Sequence, residues 1–228
     1  SIIEIYLSRD AKSNILINDN GVGIESNDLK LALERHATSK LSKNSLDNIG
    51  TLGFRGEALP SIASVSELDI ISMTNNMDIA NSIKVAFGKI LKEEPSSGKL
   101  GTSIQVKNIF KQTPVRLKFL KSDKSEYLST IDIIRKLALS SPQIKFQIFV
   151  DNKSKYVWNT ANNNLHSRIS SILGKDFIDN TLKVSFVKGN VKLSGYTGLP
   201  TYNKSNWTSV NVFINGRIIK DKSLLGAI

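Results

Sequence analysis

The sequence predicts an α+β fold built in layers, and three observations support this. Strand-like and helix-like segments are mixed along the 228 residues without strict alternation. With 40% hydrophobic and 22% charged residues, the chain can bury one large core or two modest ones. A polar, asparagine-rich stretch over residues 151–164 separates two parts. We therefore predict a first domain over residues 1–160 and a second over residues 161–228.

The strands are predicted from short apolar or alternating runs bounded by turn residues. The first two, 2–7 and 15–19, are expected to form a hairpin across a polar turn. Asn215–Gly216 is a strong signal for another hairpin turn near the end of the chain. The remaining predicted strands are 68–73, 82–87, 102–107, 144–150, 183–187, 191–196 and 210–214.

The helices are predicted from apolar residues that recur every three or four positions. Ser26 is expected to cap a helix that runs to about His36. Residues 37–56 lack this periodicity and are predicted to form a long functional loop. Three other helices are predicted. One begins near Glu57, a second runs from about Glu126 to Leu139, and a third runs from His166 to Leu173 and is ended by Gly174.

Residue counts exclude several classes of protein. The chain has no cysteine, which excludes disulfide scaffolds, thiolate zinc sites and catalytic cysteines. Its two histidines are too few for a histidine-rich metal site. No apolar run approaches the roughly 18 residues that span a bilayer. We therefore expect no membrane-spanning segment and a cytoplasmic location. The chain opens in a strand-like pattern without methionine and ends without a polar tail, so we expect further residues outside both ends.

The positive charge is concentrated in the second half of the chain. Residues 1–112 carry 13 Lys/Arg and 13 Asp/Glu, whereas residues 113–228 carry 18 Lys/Arg and 7 Asp/Glu, a net charge of +11. This asymmetry indicates a polyanionic partner for the second half, either nucleic acid or an acidic membrane. The alternative is an ordinary solvated surface in a lysine-rich proteome.

Three short segments carry candidate chemistry. Asp19, Gly21 and Gly23 follow a strand end, where a carboxylate can accept hydrogen bonds from an exocyclic amine and bare glycines let a flat ring approach the backbone. Thr38, Ser39 and Lys40 offer two hydroxyls and an ammonium to a phosphate. Each pattern alone also fits an ordinary turn or exposed loop.

The third segment spans residues 53–59, where two glycines bracket the start of a helix. Backbone N–H groups at a helix start, together with the helix dipole, form an anion site. The segment is neither a Walker A loop nor a Rossmann fingerprint, because the required glycine spacings are missing. Its members are Gly53, Phe54, Arg55, Gly56, Glu57, Ala58 and Leu59.

Together these strings resemble the signature of MutL homologues, the mismatch repair branch of the GHKL ATPases. Residues 53–59 resemble a string that is specific to this branch, whereas the string Asp19–Ile24 resembles one shared across the superfamily. The resemblance covers essentially the whole chain. Its other matching segments are Arg35–Lys40, Gly101–Thr102, Asn108–Leu120 and Phe213–Arg217.

The resemblance implies a GHKL-type α/β sandwich followed by an incomplete ribosomal-S5-like α+β domain. Asp19 would bind the adenine amino group of ATP, with Gly23 beside the ring and Thr102 supporting the contact. Residues 38–40 would belong to the ATP lid, and the backbone of residues 53–59 would hold the β- and γ-phosphates. Arg217 would approach the DNA backbone.

The family's first motif is not in these residues. Its general-base glutamate and its Mg²⁺-binding asparagine are expected upstream of Ser1, and a phosphate-contacting lysine is expected beyond Ile228. Hydrolysis needs an oriented water and a metal. We therefore expect no catalytic residue within these 228 positions, and an ATPase only in the parent polypeptide.

The implied function is DNA mismatch repair. ATP would act as a conformational switch that closes a homodimer through the amino-terminal halves and clamps DNA non-specifically. The switch would signal from a mismatch-recognition protein to strand removal, at the bacterial nucleoid, and no membrane partner is expected. Two alternatives stay open: another GHKL ATPase, and a DNA-binding scaffold without ATP chemistry.

Overall fold

The structure is a computed structural model that describes residues 1–35, 56–161, 164–202 and 210–227. It forms two compact units, the first made of Ser1–Ile134 and Ile144–Val157 and the second of Arg135–Gln143 and Trp158–Ile228. Within the described ranges, no helix is long and apolar enough to cross a membrane.

An eight-stranded mixed sheet forms the centre of the first unit, in the order β5-β4-β3-β6-β2-β1-β7-β8. β1 runs parallel to β7, while the β1–β2, β2–β6, β6–β3, β3–β4 and β4–β5 pairs are antiparallel. The strands are β1 (Ile2–Leu7), β2 (Asn14–Asp19), β3 (Glu67–Met73), β4 (Ala80–Ala86), β5 (Lys89–Ser96), β6 (Gly101–Lys107), β7 (Lys145–Val150) and β8 (Lys153–Trp158).

Two short helices cover one face of this sheet, α1 (Ser26–Leu31) and α2 (Ala58–Ala63). Apolar burial holds this layer together, since removing such side chains from water is the main stabilising term in folding. The layered α+β fold class predicted from the sequence is thereby confirmed. The buried cluster between helices and sheet consists of Leu29, Ala63, Leu68, Ile70, Ile83 and Val85.

Two further helices belong to the stretch between β6 and β7. The short α3 (Pro114–Lys118), which the sequence did not predict, has its proline in the first turn, where the missing N–H costs nothing. The long α4 (Asp123–Ser140) begins three residues before the predicted start. Its Ile131, Ile134 and Ala138 are buried, which confirms the predicted apolar face.

The predicted helix from Ser26 to about His36 is too long. α1 ends at Leu31, and the N-cap is Glu25, without a side-chain cap bond, so the capping role assigned to Ser26 is wrong. Beyond the helix the chain continues in tighter turns, with the Leu33 amide bonded to the Lys30 carbonyl. Leu33 still packs against the core, so the apolar spacing there serves a turn. His36 lies outside the described residues.

Two edge strands escaped the sequence analysis. β5 carries several charged residues and Pro95, which do not mark a strand in the sequence. As an edge strand with mostly exposed side chains, β5 tolerates both features, since a proline there removes no needed hydrogen bond. β8 lies where we predicted the domain boundary, and it follows a tight turn at Asp151 and Asn152, whose φ angles are 48° and 62°.

The described residues of the second unit after β8 form two β-hairpins and three short helices. Gly174 (φ 93°) ends the first helix as predicted, and Asn215 (φ 49°) and Gly216 (φ 78°) form the predicted hairpin turn. Three short elements were not predicted: α6, β12 and α7. The elements are α5 (Leu165–Leu173), α6 (Lys175–Asp179), β9 (Thr181–Lys188), β10 (Val191–Gly198), β11 (Val212–Ile214), β12 (Arg217–Ile219) and α7 (Lys222–Ala227).

A buried arginine ties segments of the second unit together. Arg168 in α5 is 1% exposed. Its Nη1 donates to the Trp158 carbonyl at 3.2 Å and its Nη2 donates to the Pro142 carbonyl at 2.8 Å. Burial lowers the pKa of this guanidinium from its ordinary value. Arg168 therefore joins α5 to the chain on either side of the β7–β8 hairpin.

The β1–β2 turn gives a prediction on acid stability. Partial burial alone would raise the pKa of Asp10, but hydrogen bonds from the Ser13 and Ser8 hydroxyls and from the Ser13 and Lys12 amides lower it below its ordinary range. A depressed folded-state pKa means that the ionised carboxylate stabilises the fold above about pH 4 and that this stability is lost as the pH falls further. Asp10→Asn should therefore flatten the fall in unfolding free energy between about pH 6 and pH 3, measured by urea denaturation. The exposed Asp78→Asn variant is the control, and an unchanged pH profile in Asp10→Asn would contradict this assignment.

Candidate functional site

Three polar side chains form a row across neighbouring strands of the first unit. Asp19 at the end of β2 pairs with Thr102 near the start of β6, and Thr102 pairs with Ser72 near the end of β3. Directly paired residues of antiparallel strands project to the same face of a sheet. The row therefore lies on the face that carries the core residues Leu68 and Ile70, at its polar end.

Buried hydroxyls support this row. Ser72 is 1% exposed, and its hydroxyl donates to the Gly101 carbonyl at 3.0 Å and accepts from the Ile24 amide at 2.8 Å. The Thr102 hydroxyl oxygen lies 2.9 Å from the Ser72 hydroxyl oxygen. Ser72 was missed in the sequence. The signal was its inward position in the alternation Leu68-Ile70-Ser72, since a polar residue in a core-facing position needs partners.

Two glycines let backbone pack on backbone around Asp19. Gly101 has a φ of 110°, and a Cβ built on it would lie 2.0 Å from the Asp19 carbonyl oxygen. Gly23 has a φ of 78°, and its Cβ would lie 2.2 Å from the Met73 carbonyl oxygen. Only glycine fits both positions without moving the strand ends. The row is therefore held by close backbone contact as well as by hydrogen bonds.

One oxygen of the Asp19 carboxylate accepts a hydrogen bond from the protein, and the other is available to a ligand. Oδ1 accepts the Gly21 amide at 2.8 Å. Within the part of the chain that the structure describes, no donor bonds to Oδ2, and the side chain is half-buried. An acceptor in this position can bind a ligand amine. The structure thus brings together the predicted residues Asp19, Gly21, Gly23 and Thr102.

The other predicted site residues lie elsewhere or outside the described ranges. Gly56 (φ 62°) and Glu57 precede α2, and Ala58 and Leu59 form its first turn, where Leu59 packs against the core. Pro60 lies in the same first turn, where a proline is tolerated because its missing N–H would have no partner within the helix. Residues outside the described ranges are Thr38, Ser39, Lys40, Gly53, Phe54 and Arg55.

Arg217 belongs to the second unit. It begins β12 directly after the Asn215–Gly216 turn and pairs with Ile214 of β11. Its side chain is half-buried. The hairpin turn fixes the place of this guanidinium at one end of a two-stranded ribbon.

The described residues do not provide a metal site. They contain no group of three or more His, Cys, Asp or Glu side chains that could hold an ion. The Mg²⁺ implied by the family resemblance is therefore not accounted for by the described residues.

Comparison with known families divides the chain in two. Residues 1–113 match the family described as "Histidine kinase-, DNA gyrase B-, and HSP90-like ATPase". Residues 169–228 match the family "DNA mismatch repair protein, C-terminal domain". Curated proteins named DNA mismatch repair protein MutL align over nearly all of the chain, for example one from Rhizobium rhizogenes with 40% identity over 226 residues. The chain belongs to the MutL family.

Relatives and solved structures agree on the architecture. MutL of Rickettsia bellii is 42% identical over 97% of the chain. The chain spans 37% of the length of both MutL relatives. The Aquifex aeolicus MutL ATPase domain complexed with ADP has a TM-score of 0.73 at 24% identity and covers 98% of this chain and 77% of its own. The N-terminal domain of a DNA repair protein has a TM-score of 0.80 at 24% identity, covering 99% of this chain and 71% of its own. The fold is thus a GHKL ATPase domain followed by an S5-like domain, as predicted.

Proposed function

We propose that this chain is the nucleotide-binding part of an ATPase that acts as a conformational switch in DNA mismatch repair. The observation that carries the proposal is the half-buried Asp19, whose Oδ2 is available while Oδ1 is fixed by the Gly21 amide. Membership of the MutL family and the presence of ADP in a protein of the same fold support it.

In this proposal, Asp19 Oδ2 accepts a hydrogen bond from the exocyclic amine of adenine. Thr102 and Ser72 hold the β6 end of this row through the contact between their hydroxyls. Gly21 and Gly23 leave room for the purine ring beside the backbone. This arrangement favours adenine over guanine, because guanine carries a carbonyl oxygen where adenine carries the amine and would oppose the carboxylate.

We place the polyphosphate along residues 53–59 and residues 38–40, as the family resemblance implies. Gly56 and the first turn of α2 are the described part of this segment. Backbone amides at a helix start favour anions. The attacking water and Mg²⁺ would be held by residues of the family's first motif, so hydrolysis is assigned to the complete gene product.

The second unit is the proposed DNA-binding part. It carries 11 Lys/Arg and 3 Asp/Glu, a net charge of +8, whereas the first unit carries a net charge of +3. Such a surface binds phosphates without regard to sequence and weakens with added salt. Arg217 would contact the DNA backbone. ATP-dependent homodimerisation and contact with a mismatch-recognition protein complete the switch, which would act at the nucleoid in the bacterial cytoplasm.

A DNA-binding scaffold without ATP chemistry is the second candidate. It is favoured by the net charge of +8 on the second unit, which suits binding to DNA phosphates whether or not a nucleotide binds at Asp19. The two candidates differ in whether nucleotide binds at Asp19.

Nucleotide binding should depend on the Asp19 carboxylate. If the asparagine of an Asp19→Asn variant kept the bond to the Gly21 amide through its oxygen, its NH₂ group would oppose the adenine amine. We expect Asp19→Asn to weaken binding of a magnesium–ATP analogue at least about 100-fold, because a buried donor is left unpaired. Calorimetry on the complete gene product measures this, with circular dichroism to confirm folding.

Asp69→Asn is the matched control, because Asp69 is also a half-buried aspartate of the same sheet but lies outside the row. It should bind the analogue like the unmodified protein. Equal affinity of Asp19→Asn and the unmodified protein would remove the adenine contact. A folded, unmodified protein that binds no nucleotide would favour the scaffold.

A further inference from the structure

A hollow of about 830 Å³ lies in the first unit, at the turn of the β1–β2 hairpin, whereas Asp19 lies at the opposite end of this hairpin and does not line the hollow. It is formed where β1 and β7 end and where α4 and β8 begin. Four of the side chains that line it are cations: Arg9, Lys124, Lys153 and Lys155. We call this group the basic hollow.

The carboxylates at the basic hollow are already bonded to their own chain. Asp10 accepts hydrogen bonds from the Lys12 and Ser13 amides, at 3.1 and 3.0 Å, and from the Ser8 and Ser13 hydroxyls. Asp123 forms an ion pair with Lys12 at 2.6 Å. These two aspartates therefore contribute to the β1–β2 turn and to the start of α4, and neither is paired with a cation of the hollow.

The four cations differ from these carboxylates. Among the described residues, none of Arg9, Lys124, Lys153 and Lys155 forms an ion pair, and all four are exposed. They reach one hollow from three separate segments of the chain. Exposed cations that converge on one hollow without ion-pair partners raise the local concentration of anions.

The spacing of two of these cations fits a phosphodiester backbone. Lys153 and Lys155 are two residues apart on β8, so they share a face and lie about 7 Å apart. A single DNA strand carries one phosphate per about 3.4 Å of helix axis, so this pair spans about two phosphates. The half-buried Tyr127 and Val150 supply an apolar floor beside them.

We propose that the basic hollow is a second nucleic-acid contact, in which Arg9, Lys124, Lys153 and Lys155 bind the phosphodiester backbone of DNA. It lies in the first unit, whereas the proposed function assigns DNA to the second unit and to Arg217. The inference rests on the proposed function in one respect, the choice of DNA as the ligand. Lysines on an edge strand also prevent pairing with other sheets. That protective role requires charge but no ligand, so a measurement of DNA binding distinguishes it from the proposed contact.

The test measures binding of a short duplex to the full chain by fluorescence anisotropy over a range of salt concentrations. The pair variant Lys153→Gln/Lys155→Gln should bind about tenfold more weakly at 0.1 M salt. The slope of log affinity against log salt should become shallower by up to about 2, since each lost phosphate contact removes about 0.9. The matched control is Lys89→Gln/Lys99→Gln, which removes two exposed lysines on and after the opposite edge strand β5.

Each outcome decides between the proposals. Weakened binding in the pair variant with unchanged binding in the control supports the basic hollow. An equal loss in both variants, or no loss in the pair variant, overturns it. If Arg217→Gln weakens binding while the pair variant does not, the basic hollow fails and the proposed DNA-binding unit stands. If the pair variant weakens binding while Arg217→Gln does not, the basic hollow stands and the proposed contact of Arg217 with DNA fails. An unmodified chain that binds no DNA overturns both.

Discussion

Gly101→Ala should unfold the first unit or lower its unfolding free energy by more than about 4 kcal/mol. The expected loss is large because two effects act together. Alanine at a φ of 110° is strained, which costs on the order of 1–3 kcal/mol. Its Cβ would also lie 2.0 Å from the Asp19 carbonyl oxygen, and neither backbone segment can move without breaking the β2–β6 pairing. Urea denaturation followed by circular dichroism measures the loss.

Gly195→Ala is the control for this substitution. Gly195 lies in β10, and a Cβ built there meets no atom within 4 Å. We expect a change within about 0.5 kcal/mol, as for most substitutions away from special backbone positions. If Gly101→Ala were as stable as Gly195→Ala, the inferred close contact between Gly101 of β6 and the Asp19 carbonyl would be contradicted.

Gly21→Ala should separate binding from folding. Its backbone is not in the left-handed region, and the nearest atom to an added Cβ is Asp19 Oδ1 at 2.7 Å, the end of a flexible side chain. The carboxylate can rotate away, so we expect a folded protein whose nucleotide affinity falls toward that of Asp19→Asn. Calorimetry together with thermal denaturation distinguishes this result from the unfolding expected of Gly101→Ala, and full affinity in Gly21→Ala would show that Oδ1 need not lie beside Gly21.

The site could be predicted from the sequence where local strings carry it. The residues Asp19, Gly21 and Gly23 are contiguous, and Thr102 follows a glycine in a strand, so a string comparison finds them. Ser72 belongs to no such string, because its role depends on the pairing of β3 with β6 across 30 positions. A serine in a strand is unremarkable until its partners are known.

The fold was predictable where burial sets the pattern. β3, β4, β6, β7 and α4 bury an apolar face, and their periodicity shows it. β5 and β8 are edge strands with mostly exposed residues, so no alternation marks them. The parallel pairing of β1 with β7 joins residues more than 140 positions apart and leaves no local trace. Edges and long-range pairings therefore needed the structure.

The second large loss is expected from Arg168→Met in the second unit. Methionine has a similar length and fills the space, but it has no donors for the carbonyls of Trp158 and Pro142, which Arg168 bonds at 3.2 and 2.8 Å. Hydrogen bonds from a charged donor contribute about 1.5–3 kcal/mol each, and buried acceptors left without a partner add a desolvation cost. We expect the unfolding free energy to fall by about 3–5 kcal/mol.

The same substitution should act locally, because both acceptors belong to the second unit. Hydrogen exchange should quicken at the amides of β9 and β10, while those of β3 and β6 keep their protection. Lys175→Met replaces an exposed cation of α6 in the same unit. It should change the unfolding free energy by no more than about 0.5 kcal/mol and leave hydrogen exchange in β9 and β10 unchanged. A stable Arg168→Met protein would show that the carbonyls find other donors, whereas a loss of protection in both units would show that Arg168 stabilises the chain as a whole. The expected result, loss in the second unit alone, would make this arginine the residue that holds α5 to the segments at Pro142 and Trp158.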